Sequence, residues 1–494
     1  MEELYKTVEE TPEPVEAHIT GTLPDWLDGT LYRNGPGRFE FGDTRCGHWF
    51  DGMAMVYRFR IKDGKVTYTS KFLRTDAYLK NKAANRIVVS GFGTVRHSDP
   101  CKNIFQRFFS HFSLGEMSDN TNVNIYPFGD ALYAVTESSA LRKVDPETLD
   151  ISCKVDLRDY VAVNTATAHP HFEEDGTIYN LGSTKAGYAI IKMVPPPKGS
   201  KGFAEKVEVI STVAAHERTC PSYFHSFAMT EHYFVLVEQS LVLNVISLLT
   251  CSLRHKPFNK AFEWHSHKKC RIHIIDRKTG KLVNPKITYK SPPHACFHHA
   301  NAFEEDGQVI VDLCAFDDGS EVNHLTMDVI QGSHAEDYFR KVPLSSLRRI
   351  HVPLSHEGIK DGATVECKVE TIGSQQIEFP VINYKACNGK KYKYLYGCGK
   401  QKFILDSILK MDVETGETII WHYEGCFPSE PVFVPHPQAE AEDHGVILSV
   451  VLTIGVNRHA FLLVLNAKDF QEMARATVQL KLGRDFHGIF VNSK

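Results

Sequence analysis

Apolar and polar positions alternate with a period of two through most of the chain. AMVYRFRI (54–61) and KVTYTSKFL (65–73) flank Lys62-Asp63-Gly64, and this alternation around a Gly-containing turn predicts a β-hairpin. Comparable runs follow as ALYAVTE, TIYNLGS, HYFVLVEQ, RIHIID, QVIVDLCAF, SILKMDV, ETIIWHY, GVILSVVLT and AFLLVLNA. A weak element recurs among them: an apolar residue, Asp, two residues, then Thr. It stands at Asp145/Thr148, Asp276/Thr279 and Asp412/Thr415, with a decayed copy in NAKDF near 466. The intervals of 131 and 136 residues are too long for one repeat, but each has room for several four-stranded units. Such units point to a β-propeller, whose radial closure removes exposed sheet edges; a double β-sandwich fits the strand list as well. Helical patterns are few: CKNIFQRFFSHF (101–112), the apolar run 240–253, and AEDYFRKV (335–342). No Pro-, Gly- or Ser-rich linker divides the chain, so 1–494 reads as a single domain with 1–13 as a flexible tail.

Composition narrows the functional classes. The 494 residues are 42% apolar and 23% charged, the balance of a globular chain with a large core. Net charge is −4 and no basic block occurs, which argues against a nucleic-acid partner. The 12 cysteines are scattered, without a C-x-x-C pair, as expected of reduced thiols in a cytosolic protein. The acidic start MEELYKTVEETPEPVEAH has the character of neither a signal peptide nor a transit peptide. No segment reaches the roughly 18 apolar residues of a membrane span. The run 240–253 is too short to cross a bilayer but long enough to lie in its interface.

The candidate chemistry is in the histidines. Four of them, His169 in TATAHPHF, His225 in PSYFHSF, His298 in HACFHHANAF and His487 in RDFHGIF, lie beside strand-forming sequence, and the last three directly follow Phe. Taken singly, such a histidine is ordinarily a packed core or rim residue. Their separations of 56, 73 and 189 residues form no local metal motif, so only the fold could gather them. Inner strands of different propeller blades would do so. His171, His299 and the HSH of 265–267 read as ordinary loop or turn residues.

Nine segments, RNGPGRFEFG, HWFDGMA, DPCKNIF, TATAHPH, PSYFHSF, EFPVINY, FPSEPVFVP, GVILSV and FHGIF, resemble in order the motifs of the animal carotenoid cleavage oxygenase family, which includes carotene-cleaving enzymes and a retinoid isomerase. The likeness runs from about Pro14 to Phe490. It implies an all-β fold, a seven-bladed β-propeller with loops and short helices doming over one face. It also implies that His169, His225, His298 and His487 bind one Fe(2+) per chain, with O2 as co-substrate. Imidazole nitrogens suit that ion. Glu137, Glu378 and Glu430 would then orient three of the rings, leaving the fourth otherwise held. Thr136 matches a threonine that crowds the open side of the iron.

The same resemblance implies a membrane role. Ile104, Phe105, Phe108, Phe109 and Phe112 fall at helical spacing with Lys102 and Arg107 nearby, a pattern that fits either a core helix or one lying in a bilayer surface. The family's very apolar substrates favour the second. Cys101 matches a cysteine that can carry an acyl chain, Ser98 departs from the family's usual proline, and Leu248 and Leu249 fall in a second membrane patch. The expected activity is oxidative cleavage of a conjugated double bond in a carotenoid, with a lean to eccentric cleavage through DNTNVN and YGCG. Its rivals are a retinoid isomerohydrolase, a combined isomerase-oxygenase, and a carotenoid-binding propeller, which would have no need of all seven residues. The expected residence is cytoplasmic and peripheral on membranes, or mitochondrial if an N-terminal extension precedes this sequence.

Overall fold

The computed structural model describes residues 2–100, 118–251, 254–355, 358–455 and 458–493. The helix expected over 101–112, with Cys101, Phe105, Phe108, Phe109 and Phe112, lies outside them. Within the described residues the chain is built mostly of strands, and its longest helix is the nine-residue Asp76–Ala84. The first hairpin forms as the alternation predicts. Met53–Lys62 pairs with Lys65–Phe72, Lys62 opposite Lys65, around Asp63 and Gly64 at φ 50° and 69°. Positive φ at both central residues matches the twist of the flanking strands.

Six sheets of four to seven strands and two two-stranded ribbons follow one another. In the first sheet the C-terminal strand His487–Asn492 pairs with Gly29–Arg38, so the two ends of the chain share one sheet. In the seven-stranded sheet the long strand Lys368–Val381 pairs with Ser346–Pro353 through its first part and with Tyr394–Gly399 through its last.

Apolar faces of successive sheets meet. Tyr32 and Val56 of the first sheet pack with Ile125 and Ala134 of the second. Tyr133 and Leu141 pack with Ile178 and Ile191 of the third, and Ile190 with Phe234 and Leu236 of the fourth. Val235 and Ile274 pack with Val309 and Ile350, Ile408 and Trp421 with Ile447 and Leu463, and Leu448 and Leu462 return to Leu31 and Phe59 of the first. Each sheet is thus sealed on both neighbours, which is why its strands are apolar on both faces.

Two expectations are corrected. The N-terminal residues read as a flexible tail are packed: Leu4, Tyr5 and Val8 are buried, Tyr5 stands edge-on to Trp49 at 5.4 Å, and Thr11–Glu16 pairs with Lys65–Phe72. Their apolar side chains find a site that local composition did not reveal. The run 240–253 is not one helix. Leu241–Leu243 is a strand paired with Phe262–Trp264, and helix Val245–Cys251 begins only after Asn244, whose Oδ1 accepts the Ser247 N–H at 2.9 Å. That bond satisfies a first-turn donor and sets the boundary.

Candidate metal centre

Four edge strands of four different sheets bring one histidine each to a common point. His487 opens His487–Asn492, His298 lies within Ala295–Glu305, His169 precedes His171–Phe172, and His225 precedes Ala228–Met229. One ring nitrogen of each lies within 4.8 Å of the others. No shorter segment of sequence contains this arrangement; the packing of successive sheets creates it.

Three rings are held from behind by carboxylates. His225 Nδ1 meets Glu137 Oε1 at 2.5 Å, His298 Nδ1 meets Glu378 Oε2 at 2.5 Å, and His487 Nδ1 meets Glu430 Oε1 at 2.7 Å. Among the described residues no carboxylate bonds the ring of His169. A carboxylate beside Nδ1 fixes the proton there and leaves a lone pair on Nε2. His225 Nε2 nonetheless lies 3.0 Å from His169 Nε2 and 3.2 Å from His298 Nε2. On His225 and His298, whose Nδ1 atoms both meet carboxylates, the two Nε2 lone pairs face each other at that range and repel unless a cation lies between them, so the donor set fits a metal ion. Burial, with the neighbouring imidazoles, holds His169 well below its ordinary pKa, and burial outweighs Glu430 to lower His487. At His298 burial acts the same way, but Glu378 overcomes it and raises the pKa.

Residues to which the sequence reading gave no role complete the support. Arg33, fully buried, donates from Nη1 to Glu430 Oε2 at 3.0 Å, from Nε to Asp485 Oδ2 at 2.7 Å and from Nη2 to the Phe486 carbonyl at 2.9 Å. Tyr57 also donates to Asp485. Burial alone would raise the Glu430 carboxyl, but His487 and Arg33 hold it below its ordinary value. Tyr223 donates to Glu137 Oε1 at 2.7 Å. Phe379 has φ 54°, a left-handed conformation costly for a bulky residue, and its ring lies 5.2 Å from both His298 and His487. The only earlier signal for Arg33 and Phe379 was their presence in RNGPGRFEFG and EFPVINY.

The neighbours of the four histidines are otherwise engaged. His171 uses both ring nitrogens, with Tyr384 Oη and the Phe227 carbonyl each at 3.0 Å. His299 meets Ser226 Oγ at 2.8 Å. Register shifts on either side of His299 decide which member of the pair faces the centre.

Above the histidines opens a cavity of about 900 Å³, lined chiefly by apolar and aromatic side chains including Phe50, Phe92, Phe297 and Phe379. Thr136, Glu137, Leu248 and Leu249 also line it. Ile246 and Leu249 of helix Val245–Cys251 are 62% and 52% exposed, an outward apolar face beside the cavity wall. Among the described residues no helix is long and apolar enough to cross a membrane.

Residues 5–492 match the family model described as retinal pigment epithelial membrane protein. The carotenoid-cleaving dioxygenase, mitochondrial, of Mustela putorius furo is 42% identical over 99% of this chain and 96% of its own. The beta,beta-carotene 15,15'-dioxygenase of Gallus gallus is 39% identical over 99% and 98%. Among solved structures, a chimera of apocarotenoid oxygenase and RPE65 superposes with a TM-score of 0.81 at 26% identity, covering 99% of this chain and 98% of the other.

Proposed function

The chain belongs to the retinal pigment epithelial membrane protein family, and from that premise we propose that it is an iron(II)-dependent dioxygenase cleaving a conjugated double bond of a carotenoid into two carbonyl products. The observation that carries this reading is the convergence of four histidine nitrogens at the base of an apolar cavity. His169, His225, His298 and His487 would hold the iron, which supplies the electron chemistry with O2 when bound. Glu137, Glu378 and Glu430 orient three of the rings, and Tyr223 and Arg33 hold two of those carboxylates. Thr136, beside Glu137, narrows the approach to the centre. Phe50, Phe92, Phe297 and Phe379 exclude water and bind the polyene in a fixed pose.

The finer architecture we assign is a seven-bladed propeller. The division of the seven-stranded sheet at Lys368–Val381 into two units, and the return of the last apolar cluster to the first sheet, support that count. Docking on a membrane surface through Ile246 and Leu249 would let the substrate pass from bilayer to cavity without crossing water. Likeness to the mitochondrial carotenoid-cleaving dioxygenase of Mustela putorius furo supports a mitochondrial residence.

The test is anaerobic loading with Fe(II), addition of β-carotene and O2, and chromatographic identification of the products. A long-chain apocarotenal with an ionone fragment marks the eccentric cleavage that the motifs favour, and retinal alone marks central cleavage. Absence of any carbonyl product overturns the reading.

A further inference from the structure

Two of the four histidines stand on segments that belong to different sheets. His225 lies in residues 223–226, which lead into Ala228–Met229 at one edge of the fourth sheet, and His298 lies in Ala295–Glu305 at one edge of the seven-stranded sheet. Among the described residues no backbone ladder joins these two edges. The two Nε2 atoms nevertheless stand 3.2 Å apart. Something other than strand pairing has to set that spacing, and two side chains span the gap.

Gln239, buried just beyond Tyr233–Glu238, bridges the segments on one side. Its Nε2 donates to the Tyr223 and Cys296 carbonyls, each at 3.0 Å, and its Oε1 accepts the Cys296 N–H at 2.5 Å. Both amide protons are thus used, and turning the amide over would set N–H against N–H. Ser226 bridges the segments on the other side. Its Oγ donates to the Phe297 carbonyl at 2.7 Å and accepts the His299 N–H at 3.0 Å. Its one proton is spent on that carbonyl, so His299 Nδ1, 2.8 Å away, donates to the same oxygen. Tyr223 and Ser226 flank His225, and Cys296, Phe297 and His299 flank His298, so the contacts fall before and after both histidines.

We infer that Gln239 and Ser226 are positioning residues that take the place of ladder bonds and set the separation of His225 and His298 for the metal. The inference rests on the four-histidine metal reading above and adds to it what holds the backbone, as distinct from the rings. Glu137 and Glu378 turn the two Nε2 lone pairs toward each other, which pushes the segments apart when no cation lies between them. Side-chain bonds that resist this spreading pre-organise the site. A donor set already in place binds its ion more tightly than one that must be drawn together.

The measurement is anaerobic titration of the metal-free full chain with Co(II) against a chelator of known affinity, read from the visible ligand-field bands. Gln239→Met, which keeps length and bulk but no donors, and Ser226→Ala should each lower the affinity by roughly tenfold and shift the bands. Asn301 supplies the control: it is a buried amide on the strand of His298, and its Nδ2 donates to the Cys387 and Lys390 carbonyls, each at 3.0 Å, instead of to the His225 segment. Asn301→Leu should lower the thermal midpoint and leave both the Co(II) affinity and the bands unchanged. Should Gln239→Met not fold, Ser226→Ala, the smaller change, decides alone. Wild-type affinity and bands in the folded variants, or a loss matched by Asn301→Leu, overturn the assignment and leave Gln239 and Ser226 as packing residues. A folded wild type that takes up no Co(II) overturns the metal reading itself, and the inference with it, so the two failures are distinct.

Discussion

At the residue scale the site depends on where protons reside. Glu137, Glu378 and Glu430 fix the Nδ1 proton on three rings and turn their lone pairs inward. Removing one ring should therefore do more than remove one donor. We expect His225→Ala, folded as the parent by circular dichroism, to lose both iron and carotenoid cleavage; a normal iron content would sink the four-histidine assignment. Glu430→Gln keeps the shape but weakens the hold on His487 and leaves Arg33 short of a counter-charge. Turnover at limiting iron should fall about 10- to 100-fold, the usual effect of losing an orienting acceptor. Unchanged turnover would separate Glu430 from the centre. In the sequence these residues were legible as types set among apolar neighbours, and only family motifs gave them numbers. Arg33 and Asp485, which lie 452 positions apart and form a buried pair, left no local signal.

At the element scale the weak Asp-x-x-Thr recurrence has a physical basis. Asp145, Asp276 and Asp412 each accept backbone N–H groups through Oδ1, and Asn466 does the same in the decayed copy. The residue four places on has positive φ in all four turns: Leu149, Gly280, Gly416 and Phe470. The motif marks a turn between strands, and it was readable because side-chain capping of a turn is local. Strand pairing at Met53–Phe72 was readable for the same reason. The boundary at Asn244 was not, since an apolar run of that length suits strand and helix alike. The helix it opens carries the membrane prediction. Wild type should pellet with liposomes, stay bound in high salt and be released by detergent, because apolar insertion is insensitive to screening. Ile246→Glu with Leu249→Glu, both at exposed positions, should move the protein to the supernatant without lowering its thermal midpoint. A double variant that still pellets would assign attachment to other residues.

At the scale of the whole molecule, the apolar clusters between successive sheets explain why so many polar groups are buried without partners of opposite charge: the packing of sheet on sheet seals them in. His48 is the clearest case. It is fully buried, its Nδ1 accepts the Phe50 N–H at 3.1 Å, and its Nε2 donates to the Val322 carbonyl at 3.2 Å, tying the Trp49–Asp51 turn to the short helix Glu321–His324. Both nitrogens are committed to the neutral ring, and burial lowers its pKa to about 3. The sign follows from linkage. In the unfolded chain His48 takes up a proton below about pH 6.5, whereas the folded chain resists until far lower pH. Its contribution is therefore complete above about pH 6.5 and is lost progressively as pH falls, reaching about 2 kcal/mol of destabilisation at pH 5. Thermal midpoints measured from about pH 7.5 down to about pH 5 should fall, and His48→Gln should flatten that slope while lowering stability at the upper end. His171 and His299, held at about 4 and about 3 by burial, add slopes of the same sign, so the flattening should be partial. An unaltered slope in the His48 variant would mean that the acid sensitivity of the fold arises at other buried groups.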